Sequence, residues 1–158
     1  MGDNEPYAKS MIKPSYQKNQ FPHWYTIPVR FRDLDPLNHA NNALFSTYYE
    51  EARIAFIRKV PTFAQSLEKG FSFVLANIQI DFIRPVQFPA NLLVGSGIKS
   101  LGNTSITSFQ AIYIEKNKKL VSVSEASGVW FDVQKKQPAR IPDFEQIDEL
   151  TISFDKDG

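Results

Sequence analysis

Apolar and polar residues alternate along the segment that begins at Trp24. Thr26, Arg30 and Arg32 fall on one side of this alternation, and the other side is apolar. The apolar members are Tyr25, Ile27, Val29 and Phe31. A period of two predicts a half-buried strand. Because Pro28 has no N–H to give to a neighbouring strand, this strand is expected at a sheet edge or with a bulge.

Between residues 42 and 59 the period changes, and apolar residues recur at steps of three and four. The recurring residues are Phe45, Tyr48, Tyr49, Ala52, Ala55 and Phe56. Such spacing is typical of one face of a helix. Ser46, Glu50 and Arg53 share a second, polar face, which we expect in solvent or at an interface. The pattern therefore predicts one long helix over residues 42 to 59.

Four apolar or alternating runs follow the helix, each bounded by a turn signal. They are "FSFVLANIQIDFI", "NLLVGSGIKSL", "TSITSFQAIYIEK" and "LVSVSEASGVWFDVQ". Their short links favour antiparallel neighbours, since a parallel pair needs a crossover of about a dozen residues. The order of strand, helix and four strands predicts the α+β class, with an antiparallel sheet of about five strands wrapped around one long helix.

The length and the periodicity together define the expected domain organisation. A chain of 158 residues suits one compact domain. Residues 1–20 show no periodicity and contain Pro6 and Pro14, so we expect a flexible N-terminal arm there. Residues 21–158 are then expected to form the single domain.

Composition excludes several classes of function. Lys and Arg number 18 against 17 Asp and Glu, so no large basic field is available to bind nucleic acid or an anionic membrane. The chain has no Cys, which excludes disulfides, thiolate metal sites and cysteine nucleophiles. A polar N-terminus predicts no signal peptide, and no apolar run approaches the roughly 18 residues of a membrane span. We therefore expect a soluble cytoplasmic protein without nucleic-acid or membrane partners.

The stretch "RDLDPLNHANNALFSTYYEEAR", residues 32 to 53, combines carboxylates, a histidine and asparagines just before the helix. A structural interpretation explains much of it. Pro36 after Asp35 starts a turn, and Asn38 tolerates the left-handed backbone that such a turn often requires. Asn41 or Asn42 is suited to cap the helix.

The same residues also suggest a reaction site. The first turn of a helix has N–H groups without intrahelical partners and a partial positive charge, which suit an oxyanion. A substrate carbonyl held by the N–H near Asn42 would face Asp35 across the loop, as acyl transfer requires. His39 is the one histidine nearby, and its ordinary pKa of about 6.5 suits a hydrogen bond or a proton transfer.

The segment "VRFRDLDPLNHANNALFSTYYEEAR" resembles the signature of hotdog-fold acyl-CoA thioesterases of the 4-hydroxybenzoyl-CoA thioesterase family. That pattern runs approximately V-R-Y-x-D-x-D-x-x-G-H-V-N-N-x-x-Y-x-x-Y-x-E-x-A-R. Downstream, "IQIDFIRPVQFPANLLV" and "SGVWFDVQKKQPARIP" resemble later strands and turns of the family. The resemblance implies a hotdog fold and hydrolysis of an acyl-CoA thioester to the free acid and CoA.

The resemblance also implies residue roles. Asp35 matches the family's nucleophile or general base, and the backbone at Asn42 matches its oxyanion donor. His39 and Asn41 match residues that line the same cleft. Two further carboxylates have lesser roles: for Asp33 we expect a structural role, and Glu50 is a reserve catalytic candidate because a helix glutamate is catalytic in other hotdog branches.

Two candidate substrate contacts come from residue chemistry, and each has a structural alternative. The planar guanidinium of Arg84 suits a pyrophosphate, although an arginine at a sheet edge often serves packing or an ion pair. Phe45, with Tyr49, Phe71 and Phe73, is suited to line an acyl or aryl pocket, although such aromatic stripes are often core. The family's glycine before the histidine is Asn38 here, and the acidic residue after its Arg-Pro turn is missing.

Two other functions compete with hydrolysis. Hotdog hydratases and dehydratases of enoyl thioesters carry aspartate five positions before histidine, whereas Asp33 and Asp35 lie six and four positions before His39. A non-catalytic acyl-CoA or acyl-carrier binding protein is the second alternative, because fold alone does not establish chemistry. The proposed hydrolysis needs no metal and no cofactor. The family forms edge-to-edge dimers, often paired into tetramers, so we expect a homodimer or homotetramer.

Overall fold

The computed structural model describes residues 10–143 and 146–152. Five long strands and two main helices make up most of this part of the chain. The elements are β1 (His23–Pro28), α1 (Phe45–Lys59), α2 (Pro61–Glu68), β2 (Phe71–Phe82), β3 (Asn91–Leu101), β4 (Ser105–Ile114), β5 (Leu120–Asp132), β6 (Gln137–Pro138) and α3 (Ile147–Leu150). Two short 3₁₀ turns, Phe31–Asp33 and Asn42–Leu44, precede α1.

The strands form one antiparallel sheet in the order β1-β3-β4-β5-β2, and β6 pairs with β5. Both β1 and β2 are therefore edges, and Pro28 ends an edge strand as predicted. Helix α1 packs mainly against β1 and β3. Its buried face includes Phe45, Tyr49 and Ala52, which meet strand residues such as Leu92 in the main core. The predicted α+β class and central helix are confirmed.

The opposite face of the sheet is covered by the segment before β1. Met11 and Phe21 of this segment are buried against Phe109 and Val123, which point away from α1. The Tyr113 hydroxyl donates to the Pro14 carbonyl at 2.7 Å. Residues 10–20 of the predicted flexible arm are thus packed on the sheet, and residues 1–9 lie outside the described part of the chain.

Several local features differ from the predictions. Helix α2 was not expected; Pro61 at its first turn fits because the N–H that proline lacks would be unpaired there. Phe31 lies in a 3₁₀ turn and is exposed, because β1 ends at Pro28 instead of continuing. Arg53, assigned to the polar face of the helix that was expected in solvent or at an interface, is buried within the chain itself. Its long side chain reaches under the helix to a partner on β4. No helix among the described residues is long and apolar enough to cross a membrane.

Candidate active site

Asp35 organises the turn that precedes the central helix. One carboxylate oxygen, Oδ1, accepts hydrogen bonds from the backbone N–H groups of Leu37, at 2.9 Å, and His39, at 3.2 Å. The backbone closes the same turn, since the Asp35 N–H donates to the His39 carbonyl and the Asn38 N–H donates to the Asp35 carbonyl. Asn38 adopts a φ of 60°, the left-handed conformation predicted for it. The second oxygen, Oδ2, accepts no hydrogen bond from the described residues.

Asp33 has a different environment, although it is only two residues away. Its side chain is 2% exposed and accepts hydrogen bonds from the Arg30 N–H, the Arg30 guanidinium and the Tyr48 hydroxyl. Burial raises the pKa of this carboxyl, but these donors outweigh burial and hold the pKa below its ordinary value. Every one of these contacts joins Asp33 to the protein itself. Its geometry is that of a structural carboxylate.

At the start of the helix, one backbone N–H has no acceptor among the described residues. The Asn41 N–H donates to the Asp33 carbonyl, and the Asn41 side chain accepts from the Ala43 N–H at 3.0 Å. The N–H groups of Leu44 and Phe45 donate to the carbonyls of Asn41 and Asn42. The Asn42 N–H, in contrast, donates to no described group. Asn41 is therefore the cap, and Asn42 presents the unpaired N–H.

A cavity of about 310 Å³ is lined by Asn42 and Asp35 among other residues. Its walls come from the turn, the helix start, the end of β2 and the segment after it. The lining residues are Asp35, Leu37, His39, Ala40, Asn42, Phe45, Phe82, Ile83, Arg84 and Pro85. This volume is at the small end of the range of ligand pockets. One concave site thus contains a carboxylate, an imidazole, an unpaired N–H, a guanidinium and aromatic rings.

Five of the six predicted site residues line the cavity, namely Asp35, His39, Asn42, Phe45 and Arg84. The sixth, Asn41, does not, because its side chain caps the 3₁₀ turn. Glu50, the reserve candidate, is exposed on the helix and is also absent from the lining. The Nε–H of Arg84 donates to the Leu120 carbonyl. This hydrogen bond fixes the orientation of the guanidinium.

Sequence reasoning did not identify Phe82 as a site residue. Its ring meets Phe45 edge to face, with centroids 5.2 Å apart, yet the side chain is 48% exposed. Phe82 is the last residue of β2. An aromatic residue two positions before Arg84 of the Arg-Pro turn was the available signal, because Arg84 was itself a site candidate.

The comparisons with known proteins agree on one family. The model of the thioesterase-like superfamily matches residues 29–149, which is more than half of the chain. The long-chain acyl-CoA thioesterase FadM of Escherichia coli is 29% identical over 108 residues, covering 68% of this chain and 82% of FadM.

Solved structures give the same result. A thioesterase of Thermus thermophilus, solved with coenzyme A and Zn, is 33% identical, with a TM-score of 0.67 over 82% of this chain and 97% of that one. The PA5185 protein of Pseudomonas aeruginosa is 21% identical and covers 89% of this chain and 99% of its own, with a TM-score of 0.75. The similarity to PA5185 supports the fold alone. Together with the curled sheet, these matches confirm the predicted hotdog fold.

Proposed function

The chain belongs to the thioesterase-like superfamily and is a thioester hydrolase, and we propose that it hydrolyses acyl-CoA thioesters with Asp35 as the catalytic carboxylate. The observation that carries this proposal is the pairing of two free groups in one cavity. The Asn42 N–H has no described acceptor, and Asp35 Oδ2 has no described donor.

The unpaired N–H supplies the electrophilic half of the reaction. A thioester carbonyl oxygen bound at the Asn42 N–H lies at the start of α1, where the helix dipole favours negative charge. Because the donor is fixed before the substrate arrives, it stabilises the oxyanion of the tetrahedral intermediate without reorganisation. The Asn41 cap contributes indirectly, since it holds the 3₁₀ turn that orients this N–H.

Asp35 supplies the nucleophilic half, as nucleophile or as general base toward water. Two backbone N–H groups fix its Oδ1 and thereby direct Oδ2. In the base-assisted step, water forms a bond to the carbonyl carbon and gives a proton to Asp35. The carbon–sulfur bond then breaks, and that proton passes to the CoA thiolate. Acid and thiol are released, and the carboxylate is restored.

Other residues of the cavity suit the remaining parts of the substrate. His39 lies beside Asp35 and is placed to orient the thioester or water. The guanidinium of Arg84 suits the phosphate oxygens of CoA. Phe45 and Phe82 form an aromatic wall next to the carbonyl position, which suits the first part of an acyl group.

We also propose that the chain forms a homodimer through the free edge of β2. Val74 and Leu75 on this strand are 48% and 38% exposed, and no described strand pairs with that edge. A long exposed apolar edge is an open template for another strand. Two copies related by a twofold axis would cover it with identical residues from each chain.

A thiol-release assay tests the reaction. Purified protein is incubated with saturated acyl-CoA thioesters of increasing chain length, and free CoA is measured. Release with at least one of them is expected. Hydration of an enoyl-CoA without release of thiol from any saturated thioester would favour a hydratase. Tight binding of acyl-CoA without turnover would favour a carrier or binding protein.

A further inference from the structure

A buried cation lies on one flank of the central helix. Arg53 is 6% exposed, and its Nη1 donates to Oε1 of Gln110 on β4 at 3.3 Å. The described residues place no carboxylate within 4.0 Å of this guanidinium. A buried cation without a salt-bridge partner is costly, and burial lowers the pKa of Arg53, which the negative charge of Glu50 on the same helix partly offsets. The remaining nitrogens of Arg53 have no described acceptor.

Arg53 stands above a row of polar side chains that crosses the sheet. His23 pairs with Ser96, Ser96 with Gln110, and Gln110 with Ser124, so the four side chains share the face that packs under the helix. Gln110 donates to Ser96 at 2.9 Å. At the two ends of the row, His23 Nδ1 and Ser124 Oγ are buried with no hydrogen-bond partner in the described part of the chain. Unpaired buried polar atoms are uncommon and point to a missing ligand or water.

The row ends next to β2, on the side that the helix leaves open. Tyr49 donates to Ser122 on β5, and Ser124 pairs with Ile80 on β2. Helix α1 packs mainly on β1 and β3. As a result, Ile80 remains partly exposed and Phe82 is half exposed, although both side chains point toward the helix side of the sheet.

Beyond the lining of the catalytic cavity, the partly exposed helix side of the sheet runs on along β2. Phe82 lines the cavity, and Ile80 follows on the same face roughly 7 Å along the strand. On the helix, Arg53 lies eight residues after Phe45, or roughly 12 Å along the axis. An acyl chain that starts at the Asn42 N–H and follows β2 therefore brings its far end to Arg53 and Ser124.

Building on the acyl-CoA thioesterase activity proposed above, we propose that Arg53 and Ser124 bind a carboxylate at the far end of the acyl group, so that the preferred substrates are ω-carboxyacyl thioesters. The planar guanidinium fits a carboxylate through two parallel hydrogen bonds. The Ser124 hydroxyl gains an acceptor in the same contact. The distance along the helix corresponds to an acyl chain of about eight to ten carbons.

Paired substrates test this inference. Each ω-carboxyacyl-CoA of about six to twelve carbons is assayed beside the alkanoyl-CoA of the same length, and kcat/KM is measured for both. The wild type is expected to prefer the carboxylated member at one or two lengths. Arg53→Met is expected to reduce this preference about 10- to 100-fold, and Arg53→Lys by less. Arg58→Met, an exposed change on the same helix, is the matched control and keeps the preference.

The ratio of kcat/KM for two substrates measured on one preparation does not depend on the folded fraction. Ser124→Ala provides a second variant, for which a smaller reduction of the preference is expected. A wild type that hydrolyses the alkanoyl member at least as well at every length overturns the inference. An Arg53→Met protein that keeps the preference also overturns the inference. An Arg53→Met protein that changes only in oligomeric state overturns it as well, since Arg53 would then serve a subunit interface. Failure to release thiol from any thioester overturns the proposed function itself and is thereby distinguished from these outcomes.

Discussion

The Tyr48 hydroxyl donates to Oδ2 of Asp33 across 2.9 Å and ties the loop to the central helix. Tyr48 lies one turn into α1, and Asp33 lies in the 3₁₀ turn before the loop. The carbonyl of Asp33 also accepts the N–H of Asn41, the residue that caps the helix start. Asp33 thus holds both ends of the segment that carries Asp35, through its buried carboxylate and its backbone carbonyl, which leaves Asp35 itself available to a substrate.

Replacing Asp33 by asparagine is expected to destabilise the fold. Three donors hold the pKa of this carboxyl below its ordinary value, despite burial, so the charged form is favoured in the folded state. Its contribution is present above the unfolded pKa of about 3.9 and is lost as the pH falls through the lower folded value. Asp33→Asn should cost about 1–3 kcal/mol at neutral pH, mainly through the buried Tyr48 contact, because Arg30 is largely exposed.

Urea unfolding between about pH 3 and pH 7 checks this prediction, since the acid loss extends below the unfolded pKa. The wild type should lose stability toward acid, whereas Asp33→Asn should lose less because it has no carboxyl to protonate at this position. Equal acid sensitivity of the two proteins would contradict the assigned role of Asp33.

Asp35→Asn is expected to abolish most of the activity while the fold is retained. The amide oxygen of asparagine still accepts from the N–H groups of Leu37 and His39, so the turn is retained. The amide is neither a base nor a nucleophile, and kcat should fall about 10²- to 10⁴-fold. Thiol release and thermal unfolding are measured on the same preparation. Unchanged turnover would exclude Asp35 as the catalytic group.

The periodicity of the sequence predicted the architecture well because the two faces of each strand and helix differ in their apolar and polar residues. Alternation identified β1 and the four later strands, and the step of three and four identified α1. The turn at Asn38 and the cap were predictable because their chemistry is local: only a few residues accept a left-handed φ or an N-cap position.

Features that depend on tertiary contact were not predictable in the same way. An arginine ordinarily lies in solvent, so the sequence predicts that Arg53 belongs to the polar face of the helix. In the structure Arg53 is buried, because Gln110, far away in sequence, accepts its hydrogen bond under the helix. Phe82 is half exposed beside the cavity because α1 packs mainly on β1 and β3. Periodicity identifies a face of an element but not what covers that face.

A charge on the free edge of β2 is expected to prevent the proposed dimer. Val74→Lys places like charges from the two copies close together at a twofold interface, and lysine on an edge strand opposes pairing. Light scattering after gel filtration should show a dimer for the wild type and a monomer for Val74→Lys. Val133→Lys is the control, since Val133 is similarly exposed but lies in the turn after β5. A Val74→Lys protein that remains dimeric would place the interface elsewhere.

Removing the unpaired N–H of Asn42 tests the oxyanion donor directly. Asn42 is the first residue of the 3₁₀ turn, where proline fits the backbone, and Asn41 before it has the extended ψ of 127° that proline prefers in its predecessor. Asn42→Pro therefore deletes the N–H without removing a described hydrogen bond, and kcat should fall about 10²- to 10³-fold. Asn42→Ala keeps the N–H and should retain most of the activity. If both variants fold, by circular dichroism, and lose activity equally, the side chain of Asn42 matters and its backbone N–H is not the donor.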